Sequence, residues 1–329
     1  GTALLSSTYP CAFISWTWDS GYLGGSSMGS AMDALRRQAT NRSTSSCRSG
    51  STAPVPSPTP EPSPTPEPSP TPTVDTPLPF GLFQAPMDEY GSRWTGSLYR
   101  AEPSDLAQRI AKAEGAKMKL VVSLAWSGRS KNSDGTFNLT KWKAQVDRFR
   151  SLSLNQAISS RTLYAHSLID APNCASCWGG RAISWATVEE MARYSKSIWP
   201  SLPTTARVSP SALAEATFRW NYLDAGWAQY SVRQGDVGAW VATQAAVAKA
   251  EGLGLIVGLN LLDGGTNKAP MTASQVRTFG TAMASEPSVC ALVGWRHNST
   301  YLNKTGVRDA LDAVSTVAKS RKAASCVVN

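Results

Sequence analysis

The sequence predicts an α/β protein whose main domain, residues 80–329, is a (β/α)8 TIM-type barrel, preceded by a proline-rich linker and a strand–helix fragment. Two observations predict this fold class. From residue 80 onward, short apolar runs alternate with amphipathic stretches of helical period, which is typical of a parallel sheet covered by helices on both faces. The domain also has the usual size of such a barrel, about 250 residues. An open doubly wound sheet is the alternative, but no glycine-rich phosphate loop follows the first strand.

Seven strands are predicted from the apolar runs, and an eighth, short strand is expected without being located. The runs begin at Phe80, Leu120, Leu163, Ala206, Asp224, Leu255 and Cys290. Helices are predicted between them over residues 105–113, 142–149, 188–198, 237–250, 274–284 and 307–318. Thr187 and Glu190 have the spacing of a capping box, which predicts Thr187 as the N-cap of the third helix.

Residues 51–79 form a segment rich in Pro, Thr and Ser. Proline fixes φ and has no backbone N–H, so such a run forms neither a helix nor a sheet ladder. The composition therefore predicts an extended, semi-rigid spacer between two folded parts of the chain. It is similar to the linkers that join modules in secreted bacterial enzymes that degrade polysaccharides.

The two ends of the sequence are related to each other. Residues 1–50 align without gaps with residues 280–329 and give 17 identities in 50 positions, against about three for unrelated segments. The matches include Cys11 with Cys290 and Trp16 with Trp295. A lone strand and helix cannot bury enough surface to fold, so residues 1–50 are predicted to be the last βα unit of an upstream barrel copy. The alternative is a unit that serves the second barrel.

The six cysteines are predicted to form three disulfides: Cys11–Cys47, Cys290–Cys326 and Cys174–Cys177. The first two pairs correspond in the repeat, and the third lies within four residues. An even number with a consistent pairing indicates an oxidising compartment, and so a secreted or cell-envelope protein. Redox or zinc chemistry at the third pair is the alternative, although the sequence contains only two histidines and no second close cysteine pair.

The net charge of +9 is spread along the chain without a block of five like charges. A solvated basic surface is therefore favoured over nucleic-acid binding. The sequence has no run of eighteen apolar residues, so no membrane span is predicted. It also offers no motif for a cofactor or a metal ion, and neither is predicted.

Polar and aromatic residues follow the predicted strands, where the functional loops of such barrels lie. We predict that they meet at one rim: Gln84, Asp88, Glu89, Ser123, Trp126, His166, Asp170, Trp178, Trp227, Gln229, Tyr230, Asn260, Asp263, Trp295, Arg296 and His297. His166 and Asp170 are spaced i, i+4, which places both on one face of a strand. His166 could also be a core histidine, and Asp170 could orient a loop. Tryptophan rings, amides and carboxylates together favour a polysaccharide or oligosaccharide ligand.

The segment from Tyr164 to Pro172 resembles the strand end of many glycosidase-type barrels, where Asp-Glu-Pro or Asn-Glu-Pro supplies a glutamate as proton donor. With Gly81-Leu-Phe-Gln-Ala-Pro and Gly258-Leu-Asn-Leu-Leu-Asp-Gly-Gly, it makes residues 80–321 similar to secreted glycoside-hydrolase-like barrels of unassigned substrate. The resemblance implies hydrolysis of glycosidic bonds. The sequence departs from the pattern at Ala171, which stands in the place of the glutamate and cannot transfer a proton.

Glycoside hydrolysis needs two carboxyl groups that flank the scissile bond. Asp170 and Asp263 are the predicted catalytic pair, and Asp88 or Glu89 could replace one of them. A non-catalytic carbohydrate-binding barrel that has lost its acid at Ala171 is the alternative function, and a different class of enzyme is the third. In each case we expect a secreted bacterial protein.

Overall fold

The computed structural model describes residues 73–91 and 93–328. The predicted upstream copy over residues 1–50, the Cys11–Cys47 pair and most of the linker lie outside the described residues. The fold reported below is therefore that of the main domain.

Eight parallel strands form the barrel predicted from the sequence. They are β2 (Phe80–Leu82), β3 (Gly96–Arg100), β4 (Lys119–Ser123), β5 (Leu163–Asp170), β6 (Thr204–Arg207), β7 (Ala225–Tyr230), β8 (Gly254–Asn260) and β9 (Val289–Trp295). Their order in the sheet is β2-β9-β8-β7-β6-β5-β4-β3. A parallel bridge between Phe83 and Leu98 joins the two ends of this order, and the Gln84 N–H donates to the Leu98 carbonyl over 2.8 Å. The sheet is closed, so it leaves no edge among the described residues for a further strand.

Strand β3 is the eighth strand, which the apolar pattern of the sequence does not locate. It contains five residues, Gly-Ser-Leu-Tyr-Arg, of which few are apolar. The connection from β2 to β3 also contains a single 3-10 turn, Met87–Glu89, in place of a helix. The alternation of apolar runs with helices is lost at this point, which is why the apolar pattern did not reveal the strand.

The helices lie outside the barrel, where they pack against the strands and against one another. They are α1 (Pro103–Gly115), α2 (Leu139–Asp147), α3 (Asn155–Ser159), α4 (Trp185–Ile198), α5 (Pro210–Leu213), α6 (Val237–Ala250), α7 (Ala273–Ser285), α8 (Ser299–Leu302) and α9 (Val307–Ser320). All six predicted helices are present. None of the helices in the described residues is both long and apolar enough to cross a lipid bilayer.

The start of α4 differs from the prediction. Ser184, three residues before Thr187, is the N-cap, and its side chain accepts a hydrogen bond from the Thr187 N–H. Glu190 instead binds Arg193 and Lys143 through its carboxylate. Ser184 is an equally good capping residue, and a helix that starts there includes Trp185, which packs against the core.

A short antiparallel pair adjoins the barrel. Strand β1 (Thr73–Pro77) pairs with β10 (Lys322–Ala324) near the C-terminus of the domain. The predicted linker, residues 51–79, therefore overlaps the folded domain at its end. Pro77 is the last residue of this strand and the four residues before it contain no proline, so the backbone N–H groups needed for pairing are present.

Two apolar layers hold the barrel together. The larger lies between the strands and the helices and includes Trp142, Phe149 and Met191. The smaller fills the barrel and includes Leu98, Val121, Ala225, Trp227 and Ile256, together with Ala324 and Cys326 from the C-terminal segment.

Candidate functional site

A cavity of about 340 Å³ opens at the C-terminal ends of the strands. This is the end of the barrel at which function resides in such folds. Its lining is contributed by the ends of seven strands and the loop after β4: Phe83, Leu98, Arg100, Ser123, Ala125, Trp126, Ser127, Gly128, Ser167, Ile169, Asp170, Arg207, Trp227, Trp295 and Arg296. The peptide bond between Trp295 and Arg296 is cis.

The tryptophans of the cavity carry arginine side chains over their rings. The guanidinium carbons of Arg100 and Arg129 lie 3.5 Å and 4.2 Å from the Trp126 ring centre. Trp295 stacks on Phe83 with ring centres 4.3 Å apart, and Arg207 lies over its ring at 4.1 Å. Cation–π contacts of this kind stabilise the cation in one place. The rings therefore position guanidinium groups, whereas the sequence predicts that they stack directly on a sugar.

Asp170 and Arg207 form an ion pair at the wall of the cavity. Asp170 ends β5 and Arg207 ends β6, and the pairing of these strands is irregular between Ser167 and Asp170. The irregularity lets Ser167, Ile169 and Asp170 all line the cavity, although strict alternation would send neighbouring residues to opposite faces. Asp170 is therefore held by a cation from the next strand.

Several buried polar atoms near the cavity have no hydrogen-bond partner in the described structure. They are Trp126 Nε1, Thr205 Oγ1, Trp227 Nε1, both amide atoms of Gln229, and Asn260 Oδ1. Gln229 Oε1 and Trp227 Nε1 both lie close to Gly258, where a Cβ atom would collide with them. The glycine thus leaves room for two polar groups inside the barrel. Because buried polar groups in folded proteins are almost always hydrogen-bonded, these donors and acceptors are available to a bound polar molecule.

The charge of the cavity is positive. Three arginines line it, Arg100, Arg207 and Arg296, and Asp170 is the one carboxylate among its lining residues. Arg207 is paired with Asp170, whereas Arg100 and Arg296 are exposed and form no ion pair within the described part of the chain. Arg100 and Arg207 are lining residues that were not predicted from the sequence. Their position at strand ends was the available signal, but Arg100 follows the strand that was missed.

The structure brings some of the predicted site residues together. Those that line the cavity are Ser123, Trp126, Asp170, Trp227, Trp295 and Arg296. Gln229 and Asn260 lie next to it inside the barrel, as the contacts of Gly258 and the strand pairing indicate. Asp263, the second predicted catalytic acid, is exposed in the loop after β8 and does not line the cavity. The two carboxylates are thus not brought together there.

The first loop of the rim forms a separate group. Gln84 has a left-handed backbone with a φ of 61°, and Asp88 is exposed. Glu89 lies 3.2 Å from His297 Nε2 and 3.4 Å from Trp94 Nε1. None of these side chains lines the cavity. Glu89 joins the loops after β2 and β9, which is a structural role.

Three residues predicted to bind substrate lie in the core. His166 is fully buried on the helix side of β5, where its Nδ1 lies 2.8 Å from Ser195 Oγ of α4. Burial lowers its pKa to about 3, so it is neutral. Tyr230 is also fully buried and packs on Trp240 and Phe279. Their side chains point away from the barrel interior, so the prediction for both is corrected.

Trp178 is the third of these corrections. It is 1% exposed and its Nε1 donates to the Ala171 carbonyl over 3.0 Å. The Cys174–Cys177 disulfide, predicted from the sequence, closes the same loop, and the predicted Cys290–Cys326 disulfide is also present. Trp178 therefore anchors the loop after β5. Among the described residues, no three His, Cys, Asp or Glu side chains are grouped so as to hold a metal ion.

No family model matches the sequence, and no curated protein matches it. Solved structures do match the fold. A candidate glycoside hydrolase from Parabacteroides distasonis aligns with a TM-score of 0.53 at 10% identity, over 74% of this chain and 94% of its own. A candidate α-L-fucosidase from Bacteroides thetaiotaomicron aligns with a TM-score of 0.49 at 14% identity, over 80% and 100%. A GH10 xylanase from Thermobacillus composti gives 0.47 at 9% identity, over 73% and 96%. The alignment with the Parabacteroides distasonis structure supports the (β/α)8 barrel fold of this chain, and at these identities the likeness concerns the fold alone.

Proposed function

We propose that the protein is a carbohydrate-binding barrel that holds a saccharide in the cavity without hydrolysing it. The observation that carries this proposal is the composition of the cavity, which combines hydrogen-bonding side chains with a single carboxylate, Asp170. Of the three functions that the sequence left open, a hydrolase, a non-catalytic carbohydrate-binding barrel and a different class of enzyme, the second accounts best for this composition.

The polar groups of the cavity suit a ligand with many hydroxyl groups. Trp227 and Gln229 offer donors and an acceptor inside the barrel that have no partner in the described structure. Ser123 and Ser167 add hydroxyl groups, while Phe83 and Ile169 add apolar surface. A few fixed polar groups among apolar and aromatic side chains are characteristic of small-molecule sites. The likeness of the fold to glycoside-hydrolase barrels supports a saccharide as that molecule.

The lining of the cavity does not contain the two carboxyl groups that hydrolysis requires. One carboxyl group must be protonated and the other ionised, on either side of the bond. Asp170 is held in an ion pair with Arg207. Asp263 lies outside the cavity. Ala171 stands where the resemblance places the proton donor, and its φ of 46° is in the left-handed region, which a glutamate rarely adopts.

A glycan panel on the full chain tests this proposal, with binding and the release of reducing ends scored on the same samples. We expect binding without release. Trp295→Ala, which removes the ring beneath Arg207, is expected to weaken binding at least about tenfold. Trp185→Ala is the matched control, because Trp185 lies on α4 beside Trp220 and away from the cavity.

Two results would count against the proposal. Release of reducing ends that disappears in Asp170→Asn would establish a hydrolase that acts with Asp170. If the protein bound none of the glycans, the proposal that its ligand is a saccharide would be wrong.

We also propose that the protein is secreted by a bacterium and that residues 1–50 belong to a tandem upstream barrel. The two disulfides of the described domain support an oxidising compartment. The 50-residue repeat supports the tandem arrangement. Sequencing of the gene upstream of Gly1 is the direct test, and we expect it to encode the first seven strands of a barrel.

A further inference from the structure

We infer that the saccharide is anionic and that its carboxylate or sulfate group is bound by Arg100 and Arg296. This inference rests on the proposed function and specifies its ligand class. It starts from the balance of charge in the cavity, where three guanidinium groups face one carboxylate.

The single carboxylate is already used. Asp170 pairs with Arg207, so this pair contributes no net charge. Arg100 and Arg296 are left without an ion pair in the described part of the chain. Two uncompensated cations in one concave site attract anions, because low-dielectric walls concentrate the field there.

Arg100 is held in place although it is exposed. Its guanidinium carbon lies 3.5 Å from the centre of the Trp126 ring, and Arg129 lies over the same ring at 4.2 Å. A stacked guanidinium keeps its N–H donors at its edge, where they match the two oxygens of a carboxylate or a sulfate. The Trp126 ring thus orients a donor edge at the mouth of the cavity.

The charged lining residues contain more donors than acceptors. Three arginines donate only, and Asp170 is the one charged acceptor among the lining residues. An anionic group accepts from several donors at once and offers none, which fits this imbalance.

Calorimetric titration of the full chain with matched oligosaccharides tests the inference. The first pair is an oligogalacturonate and its carboxyl-reduced neutral counterpart. The second is a sulfated oligosaccharide and its desulfated counterpart. We expect at least one anionic member to bind about tenfold or more tightly than its neutral partner. We also expect that preference to decrease as the ionic strength rises. The pair that shows the preference identifies the anionic group as carboxylate or sulfate.

Charge-removing variants connect the preference to the two arginines. Arg100→Gln and Arg296→Gln are each expected to weaken binding of the anionic member about tenfold, with little change for the neutral member. Arg277→Gln removes the same charge from the exposed face of α7 and is expected to change neither.

The outcomes separate this inference from the proposed function. Equal binding of charged and neutral members would overturn the inference and leave a carbohydrate-binding barrel. A preference that persists in both arginine variants would also overturn it. If none of the saccharides bound in this assay or in the wider glycan panel, both proposals would fail together.

Discussion

The two ends of the barrel interior differ in how their polar groups are satisfied. At the end where the strands begin, Tyr164 donates from its hydroxyl to the Cys290 carbonyl over 3.0 Å, with the Ala324 carbonyl at 3.4 Å. Ala324 and Cys326 of the C-terminal segment close this end. At the end where the strands finish, Trp227 and Gln229 carry buried polar atoms without partners.

The difference indicates that one end of the barrel contributes mainly to stability and the other mainly to binding. A buried polar group that lacks a partner costs free energy, so we expect the finishing end to be maintained at the expense of stability. The starting end, with its bonded tyrosine and its disulfide, supplies stability in return. Conserved function at one end and stability at the other is the general arrangement in such barrels.

The disulfides offer the largest test of this contrast. Cys290–Cys326 closes the starting end and spans 36 residues, whereas Cys174–Cys177 lies in a loop at the finishing end and spans three. A longer loop restricts the unfolded chain more, so we expect Cys290→Ala/Cys326→Ala to lose about 4 kcal/mol of unfolding free energy and Cys174→Ala/Cys177→Ala about 2 kcal/mol. Denaturant unfolding of both double variants measures the difference.

The variant that loses less stability, Cys174→Ala/Cys177→Ala, is expected to lose more saccharide affinity. We expect saccharide affinity to be unchanged when the distant Cys290–Cys326 bridge is removed. Removal of the Cys174–Cys177 bridge loosens the loop after β5, next to Asp170, and is expected to weaken binding. Equal losses of stability in the two double variants would contradict the division between the ends.

The helix-facing side of β5 carries a buried titratable group, His166, that makes stability depend on pH. His166 is buried among Trp142, Trp199 and Ser195, and burial lowers its pKa from 6.5 to about 3. The unfolded chain binds a proton at this residue below pH 6.5 and the folded chain does not, so stability decreases as the pH falls from about 6.5 toward 3. The slope from this group approaches about 1.4 kcal/mol per pH unit.

NMR titration of the imidazoles measures this directly, because the sequence has only two histidines. We expect the His166 signals to stay in the neutral form down to about pH 3, in line with its lowered pKa. His297→Gln assigns the remaining signals. His166→Gln keeps a hydrogen-bonding side chain and should reduce the pH dependence of unfolding. A His166 that titrates near 6.5 would mean that the ring is not buried as described.

His166 also shows which feature could not be predicted from the sequence. The alternation of strands and helices located seven of eight barrel strands, and helix α6 was predicted with the observed bounds, Val237–Ala250. Which face of a strand a residue occupies was harder to predict. His166 and Asp170 are spaced for one face, but the irregular pairing of β5 after Ser167 separates them.

The arginines of the cavity mark a second limit. Arg100 and Arg207 end strands, but a charged residue beside an apolar run has the same pattern at a solvated surface. Their convergence depends on the order of strands in the closed barrel, in which β3 and β6 are separated by β4 and β5. The strand ends could be predicted from the sequence. Which of their residues line the cavity could be determined only from the three-dimensional structure.

Tyr164 provides a smaller test at the starting end of the barrel. Tyr164→Phe removes a buried hydroxyl that donates to the Cys290 carbonyl, and we expect a loss of about 1 kcal/mol in unfolding free energy. Tyr222→Phe is the control, because Tyr222 is 40% exposed and its loss should change little. Saccharide affinity should be the same in both variants. A change in affinity for Tyr164→Phe would show that the two ends are coupled.

Substitution of Gln229 is expected to give the smallest change in stability. The sign of that change tests whether the finishing end of the barrel is held at the expense of stability. Its amide atoms are buried without partners, so Gln229→Leu exchanges an unsatisfied group for an apolar one of similar size. We expect unfolding free energy to stay the same or to rise by up to about 1 kcal/mol, while saccharide affinity falls. Gln145→Leu is the matched control. Its amide accepts from the Trp126 N–H over 2.9 Å and donates to Ser130 Oγ over 2.8 Å, so its removal should cost about 1–3 kcal/mol. If Gln229→Leu destabilised the free protein as much as Gln145→Leu, its amide would be satisfied without a ligand, and the finishing end of the barrel would not be held at the expense of stability.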